Sequence, residues 1–259
     1  MSGTHRDPWL QLAARTPARI ALGRAGVSLP TREVLAFALA HAQARDAVHA
    51  TLDRKALAAA LTPLGLKTIE IESEAQDRAH YLRRPDLGRR LSRTSKARLS
   101  GITPSCDLAI MIGDGLSATA VAAQALPLLA ALIPWLATSG LTVGPVTLAR
   151  EARVALGDEV GALLGASLVA VLIGERPGLS AADSLGIYLT YAPRPGRSDA
   201  ERNCVSNVRP DGLAPQAAAQ TLAWLIKAAR ARQLTGVELK DESPSPQLGQ
   251  GDSTAPQLG

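Results

Sequence analysis

From Gly115 to Ala149 the chain carries no charged residue. An uncharged stretch of that length belongs either in a membrane or inside a folded domain, and its internal punctuation decides between them. Residues 118–136 are about long enough to cross a bilayer. They are Ala-rich, however, hold Gln124, and are interrupted by Pro127 and Pro134. Gly140 and Gly144 then set off a second run, 141–149, that reads as a strand. On either side lie two further apolar runs, 107–114 (DLAIMIGD) and 168–174 (LVAVLIG), of the kind expected for strands buried on both faces. The stretch is therefore read as a buried helix and a buried strand inside an α/β core, with no membrane span.

The rest of the chain extends that pattern. Residues 67–74 (KTIEIESE) alternate as a half-exposed strand, 157–164 as a helix, 187–191 as a strand, and 214–232 as an amphipathic helix with Leu222, Leu225, Ile226 and Ala229 in phase. Strands alternating with helices predict an α/β fold with a Rossmann-like, mostly parallel sheet flanked by helices, over residues 67–238. Ahead of it, 1–66 reads as a small helical module: Pro30-Thr31-Arg32-Glu33 opens one helix, and 52–61 forms another that stops at Thr62-Pro63-Leu64-Gly65. Residues 239–259 form a tail, which from Pro244 on is Pro/Gly/Ser/Gln-rich with Pro-Gln-Leu-Gly repeated, and disorder is expected there.

Composition removes several classes. The chain has 259 residues, 46% hydrophobic, which allows one large domain or two small ones. Two Cys and no CxxC exclude a disulfide framework and favour a reducing compartment. Residues 1–19 lack the unbroken apolar core of a secretory signal. The net charge of +5 raises the question of nucleic acid, but 23 of the 28 basic residues are Arg and aromatics are only 3%, so no stacking platform accompanies them.

Ligands of open parallel sheets bind beyond the carboxyl ends of the strands, which directs attention to Asp114, Gly115, Glu175, Arg176 and the segment after Tyr191. Gly113-Asp114-Gly115-Leu116-Ser117-Ala118 has GxGxxA spacing, yet no acidic residue follows at the distance a ribose requires, and Asp114 itself would repel a pyrophosphate. A turn holding some polar group and a plain structural turn both remain. Gly174-Glu175-Arg176-Pro177-Gly178-Leu179 ends an apolar run in a dense polar group, read as a ligand-binding loop or a local Glu175–Arg176 pair. The Arg-rich stretch 81–98 could hold phosphate or carboxylate groups, or form a solvated helical face or a subunit contact. Cys204, in Asn203-Cys204-Val205-Ser206-Asn207, is a nucleophile or a thiol facing a ligand or the core, and the latter is the stronger reading because no His lies near it in sequence. His5, His41, His49 and His80 have no metal-ligand spacing, and Gly115-Leu116-Ser117-Ala118-Thr119 lacks the last Gly of a nucleophile elbow. No catalytic set and no metal site emerge. A stand-alone dinucleotide-binding oxidoreductase and an Arg-rich nucleic-acid-binding module remain as alternatives to a partner-dependent subunit.

Five segments in order, GRAG (23–26), YLRRPDLGRRL (81–91), DGLS (114–117), GERPGL (174–179) and NCVSNVRPDG (203–212), resemble the small (light) subunit family of ethanolamine ammonia-lyase. The resemblance runs from Leu22 to Val237, and the C-terminal tail is not part of it. It implies a subunit of a hetero-oligomer whose large subunit is a TIM barrel that binds ethanolamine, with adenosylcobalamin (coenzyme B12) shared between the two. Homolysis of the cobalt–carbon bond would start a radical conversion of ethanolamine to acetaldehyde and ammonia, in the cytoplasm or a bacterial microcompartment. The family's cobalamin contacts fall on Val154, Glu175 and Cys204, all matched in residue type. The Asp-x-His-x-x-Gly motif that supplies cobalt with a protein histidine elsewhere is absent, which implies a cobalamin that keeps its own base. No catalytic residue and no nucleic-acid partner are implied for this chain.

Overall fold

Alternation along β2 (Cys106–Gly113) and β4 (Ala166–Gly174) divides the interior into two cores. The computed structural model that shows this describes residues 9–102 and 105–243, so the expected disorder from Pro244 on falls outside the described residues. In chain order the helices are α1 (Leu10–Ala13), α2 (Thr31–His49), α3 (Arg54–Leu61), α4 (Arg78–Arg83), α5 (Arg93–Ser100), α6 (Ala118–Thr138), α7 (Leu156–Leu163) and α8 (Pro215–Arg232). The other strands are β1 (Thr68–Glu72), β3 (Val146–Arg150), β5 (Leu185–Tyr191) and β6 (Arg202–Val208).

The sheet has the order β1-β3-β2-β4-β5-β6. Pairing is parallel from β1 to β4 and antiparallel at β4–β5 and β5–β6, so only β5 runs against the others. On one face Leu108, Ile110, Leu168, Ala170, Leu172 and Ile187 pack with α6 and α8, together with Leu57 and Leu61 of α3. On the other face Ala109, Met111, Val169, Val171 and Ile173 pack with Leu156 and Val160 of α7 and Leu99 of α5. Helix starts follow capping chemistry: Asp53, Asp77, Ser92 and Ser117 each accept a backbone N–H one turn on.

The uncharged helix α6 runs unbroken through both prolines. Each proline removes the donor for the carbonyl four residues back, here those of Ala123 and Ala130. Ala123 and Ala130 lie on the exposed side of the helix, open to solvent, while Val121, Leu128, Leu132 and Leu136 stay buried on the opposite side. Strand β3 begins at Val146 rather than at 141, because Pro145 has no N–H for a ladder and Val143 makes only an isolated bridge to Leu108. Strand β6 was not anticipated from the sequence. The antiparallel β5 also sends the chain after Tyr191 away from the carboxyl edge of the parallel strands, contrary to the sequence expectation.

Candidate functional site

The turn after β2 is fastened to its neighbours by its own side chains. The carboxylate of Asp114 accepts the backbone N–H groups of Glu151 (2.8 Å) and Ala152 (3.0 Å), joining the ends of β2 and β3. Burial raises its pKa to about 6, against the pull of those two hydrogen bonds. Gly115 has φ +58°, and a Cβ there would lie 2.2 Å from the Gly174 carbonyl oxygen. Ser117 caps α6 and donates its hydroxyl to the Ala182 carbonyl (2.8 Å). Of the two readings left open for this turn, the geometry supports the structural one.

A second fastening reaches across from α4. Arg78 donates to the carbonyls of Val48 (2.6 Å) and Gly115 (2.8 Å) and to the buried Glu151 carboxylate (3.0 Å). Tyr81 is fully buried and donates its hydroxyl to the Ala152 carbonyl (3.0 Å). The N–H of Arg153 bonds the Gly88 carbonyl (2.8 Å), and a Cβ on Gly88 would lie 2.9 Å from the Arg153 side chain. The Arg-rich stretch after Tyr81 is thereby locked to the loop that carries Val154. Arg84 and Arg90 are spoken for locally, by Asp86 (2.8 and 3.4 Å), and Arg90 also by Glu74 (2.9 Å).

Glu175 follows directly on β4 and is half-buried. Its Oε2 accepts the Ser184 hydroxyl and the Asn207 N–H (3.3 Å), so the carboxylate ties the β4–β5 connection to the end of β6. Among the described residues no donor reaches Oε1. Glu175 makes no ion pair with Arg176, which is exposed, so the local-pair reading of this segment fails.

Cys204 lies opposite Tyr188 in the β5–β6 register, on the face away from α8. Ser206 shares that face, and both Cys204 and Ser206 are exposed while Tyr188 is half-buried. The Cys204 thiol is nonetheless partly desolvated between Tyr188 and Glu175. Burial raises its pKa, the hydrogen bond with Tyr188 works against this, and the Glu175 charge raises it further. A thiol held neutral in this way is a packing group and a poor nucleophile.

Val154 is half-buried at the start of α7 and packs on the same core as Tyr188. It lines a cavity of about 400 Å³ together with Arg89, Arg153, Arg197, Ser198 and Asp199. The β5–β6 connection reaches this cavity by running along α7, where Pro193 leaves no room for a Cβ on Gly161. Val154, Glu175 and Cys204 therefore all border one face of the sheet, on the side where α7 covers β2 and β4 and the β5–β6 ribbon stays open. Tyr188 and Asn207 complete that surface, and the buried Ser184 holds Glu175 in it. Tyr188 looks like any strand aromatic and carried no signal, while the Ser184 contact depends on β4–β5 pairing and the Asn207 contact on β5–β6 pairing. Among the described residues no group of three or more His, Cys, Asp or Glu is placed to hold a metal ion.

The fold and this surface define a layered α/β protein with an open, mixed polar and apolar face beside its antiparallel ribbon. Comparison with known proteins gives the family. Residues 6–240 match the model described as ethanolamine ammonia-lyase light chain. The chain is 58% identical over 229 residues to the ethanolamine ammonia-lyase small subunit of Rhodopseudomonas palustris (strain BisA53), covering 88% of both chains. It is 58% identical over 240 residues to that of Bradyrhizobium diazoefficiens, covering 92% of both. With that of Xanthomonas campestris pv. campestris (strain B100) it shares 54% over 248 residues, covering 94% of this chain and 91% of the relative. The chain belongs to the ethanolamine ammonia-lyase light-chain family.

Proposed function

We propose that this chain is the small subunit of an adenosylcobalamin-dependent ethanolamine ammonia-lyase, which converts ethanolamine to acetaldehyde and ammonia. It would cover part of the cobalamin at an interface with a TIM-barrel large subunit. The observation that carries this reading is the family match over nearly the whole described chain. The open β5–β6 face fits the rim of a corrin. Glu175 offers an unused carboxylate oxygen to the ring's amide side chains, Val154 offers apolar contact, and Cys204 offers a small neutral group beside Tyr188.

When bound, adenosylcobalamin supplies the carbon radical that initiates the rearrangement. The residues of this chain have other tasks. Glu175, fixed by Ser184 and Asn207, orients the cofactor's edge; Val154 and Tyr188 keep water from that edge; Cys204 fills the space between them. The enzyme's site of action, the cytoplasm or a microcompartment, is part of the same proposal. Acetaldehyde formation from ethanolamine should require this chain, the large subunit and adenosylcobalamin together. Activity of this chain with cofactor alone would overturn the reading, and so would full activity of the large subunit without it.

A further inference from the structure

We propose that Arg89 and Arg153 form an anion subsite for the phosphodiester of the cobalamin nucleotide loop, an inference that rests on the cofactor reading above. The cavity beside Val154 is rimmed by three arginines and one aspartate. One of those four charges, that of Arg197, is already balanced. Arg197 directs its donors to Glu201 and to the carbonyls of Tyr191 (3.2 Å) and Ala192 (3.0 Å). Asp199 is exposed and lies 3.5 Å from the buried Arg202 guanidinium, whose charge Asp158 already meets, so the rim keeps one negative charge beside the two other arginines.

Arg89 and Arg153 are the cations that remain, and they outnumber that carboxylate by one. Among the described residues Arg89 has no side-chain hydrogen bond or ion pair. Arg153 makes one long bond, 3.4 Å to the Tyr81 carbonyl, and its Nε is buried without a partner. Its guanidinium is stacked 4.2 Å from the centre of the Tyr81 ring, which fixes the group without neutralising it.

The scaffold that holds the pair is specific. The Arg153 N–H to Gly88 carbonyl bond and the missing Cβ of Gly88 bring the residue before Arg89 into contact with Arg153. Two unneutralised guanidiniums, held by a backbone contact at the mouth of one cavity, match a diester that carries a single negative charge. The cavity adjoins Val154, so a cofactor resting on Val154 would bring its phosphate within reach. This gives part of the Arg-rich stretch a role that neither a solvated helical face nor nucleic-acid binding supplies.

The test uses the complex reconstituted with the large subunit and two corrinoids, cobalamin and cobinamide, the latter lacking the nucleotide loop and its phosphate. Affinities are read from the visible spectrum during titration. Arg153→Met keeps a chain over Tyr81, and Arg89→Met alters an exposed residue, so the fold should survive both. Each variant should weaken cobalamin binding roughly tenfold, the low end for a charge-assisted hydrogen bond, and leave cobinamide almost unchanged. Added salt should weaken wild-type cobalamin binding more than that of the double variant. Inorganic phosphate should compete with cobalamin better than chloride does at equal ionic strength.

Equal losses for both corrinoids, or none for either, would overturn the subsite while leaving the cofactor reading intact. Phosphate binding without a variant-sensitive advantage of cobalamin over cobinamide would reassign the site to free phosphate and overturn it as well. Failure of the wild-type complex to bind cobalamin would remove both proposals together.

Discussion

Replacing Glu175 separates its internal clamp from the cofactor contact proposed for it. Oε2 holds Ser184 and Asn207, whereas Oε1 has no donor among the described residues. Glu175→Gln is nearly isosteric and keeps one oxygen for the internal bonds, but it removes the charge and puts an amide N–H2 where the second oxygen was. A hydrogen bond to a charged group contributes about 1.5–3 kcal/mol against about 0.5–1.5 for a neutral pair, a difference near 1–1.5 kcal/mol. Cobalamin affinity of the assembled complex should therefore fall roughly five- to tenfold in Glu175→Gln. Glu175→Ala should lose roughly ten- to a hundredfold. The alanine also strands the Ser184 hydroxyl and the Asn207 N–H, so this chain should lose about 1–2 kcal/mol of stability, which the glutamine should largely retain. Titration of adenosylcobalamin followed by visible absorption gives the affinities, and urea unfolding of the free chain gives the stability. Turnover at saturating cofactor should change little, because the interaction is made in the ground state and the transition state alike. If both variants assemble and bind cofactor as wild type does, Glu175 is only a loop clamp.

Other consequences follow from the same geometry. Cys204 is exposed and Cys106 buried, so iodoacetamide should modify Cys204 first; cobalamin bound in the complex should protect it, and Glu175→Gln should speed the reaction by lowering the thiol pKa. The buried bidentate pair of Arg202 with Asp158 (2.7 and 2.6 Å) should make Asp158→Ala cost about 3–5 kcal/mol in urea unfolding, because it leaves a buried guanidinium uncompensated. Gly115→Ala combines a left-handed φ with a 2.2 Å approach to the Gly174 oxygen, and should unfold or displace the turn, seen as a large drop in Tm. Asp114 has a raised folded pKa, so its proton is held more tightly in the folded state than in the unfolded chain. Its contribution to stability should be intact below about pH 4 and lost as pH rises through about 6, and the pH–Tm curve of Asp114→Asn should lack that fall.

Legibility in the sequence tracked burial. β2 and β4 are covered on both faces, so their residues form unbroken apolar runs that announce themselves. β6 is apolar only at Val205 and Val208, its buried Arg202 is paired with Asp158, and its other positions carry Asn, Cys and Ser that read equally well as a loop. The antiparallel turn at β5 leaves no local trace, because strand direction is set by the length and packing of the connection rather than by its residues. Glu175 was marked by the polar group that closes an apolar strand, Cys204 by the short polar residues around it, and Val154 by family resemblance alone. Arg78 carried no signal, since its three partners lie on segments 30 to 73 residues away.

The central claim is that this chain forms part of the cofactor's binding surface. Its most direct test is equilibrium dialysis of cobalamin against this chain, the large subunit and their complex, each at the same concentration. The account predicts tight retention by the complex, clearly weaker retention by either subunit alone, and a visible spectrum in which the cofactor's own base stays on cobalt. Retention by the large subunit alone that equals retention by the complex would contradict it.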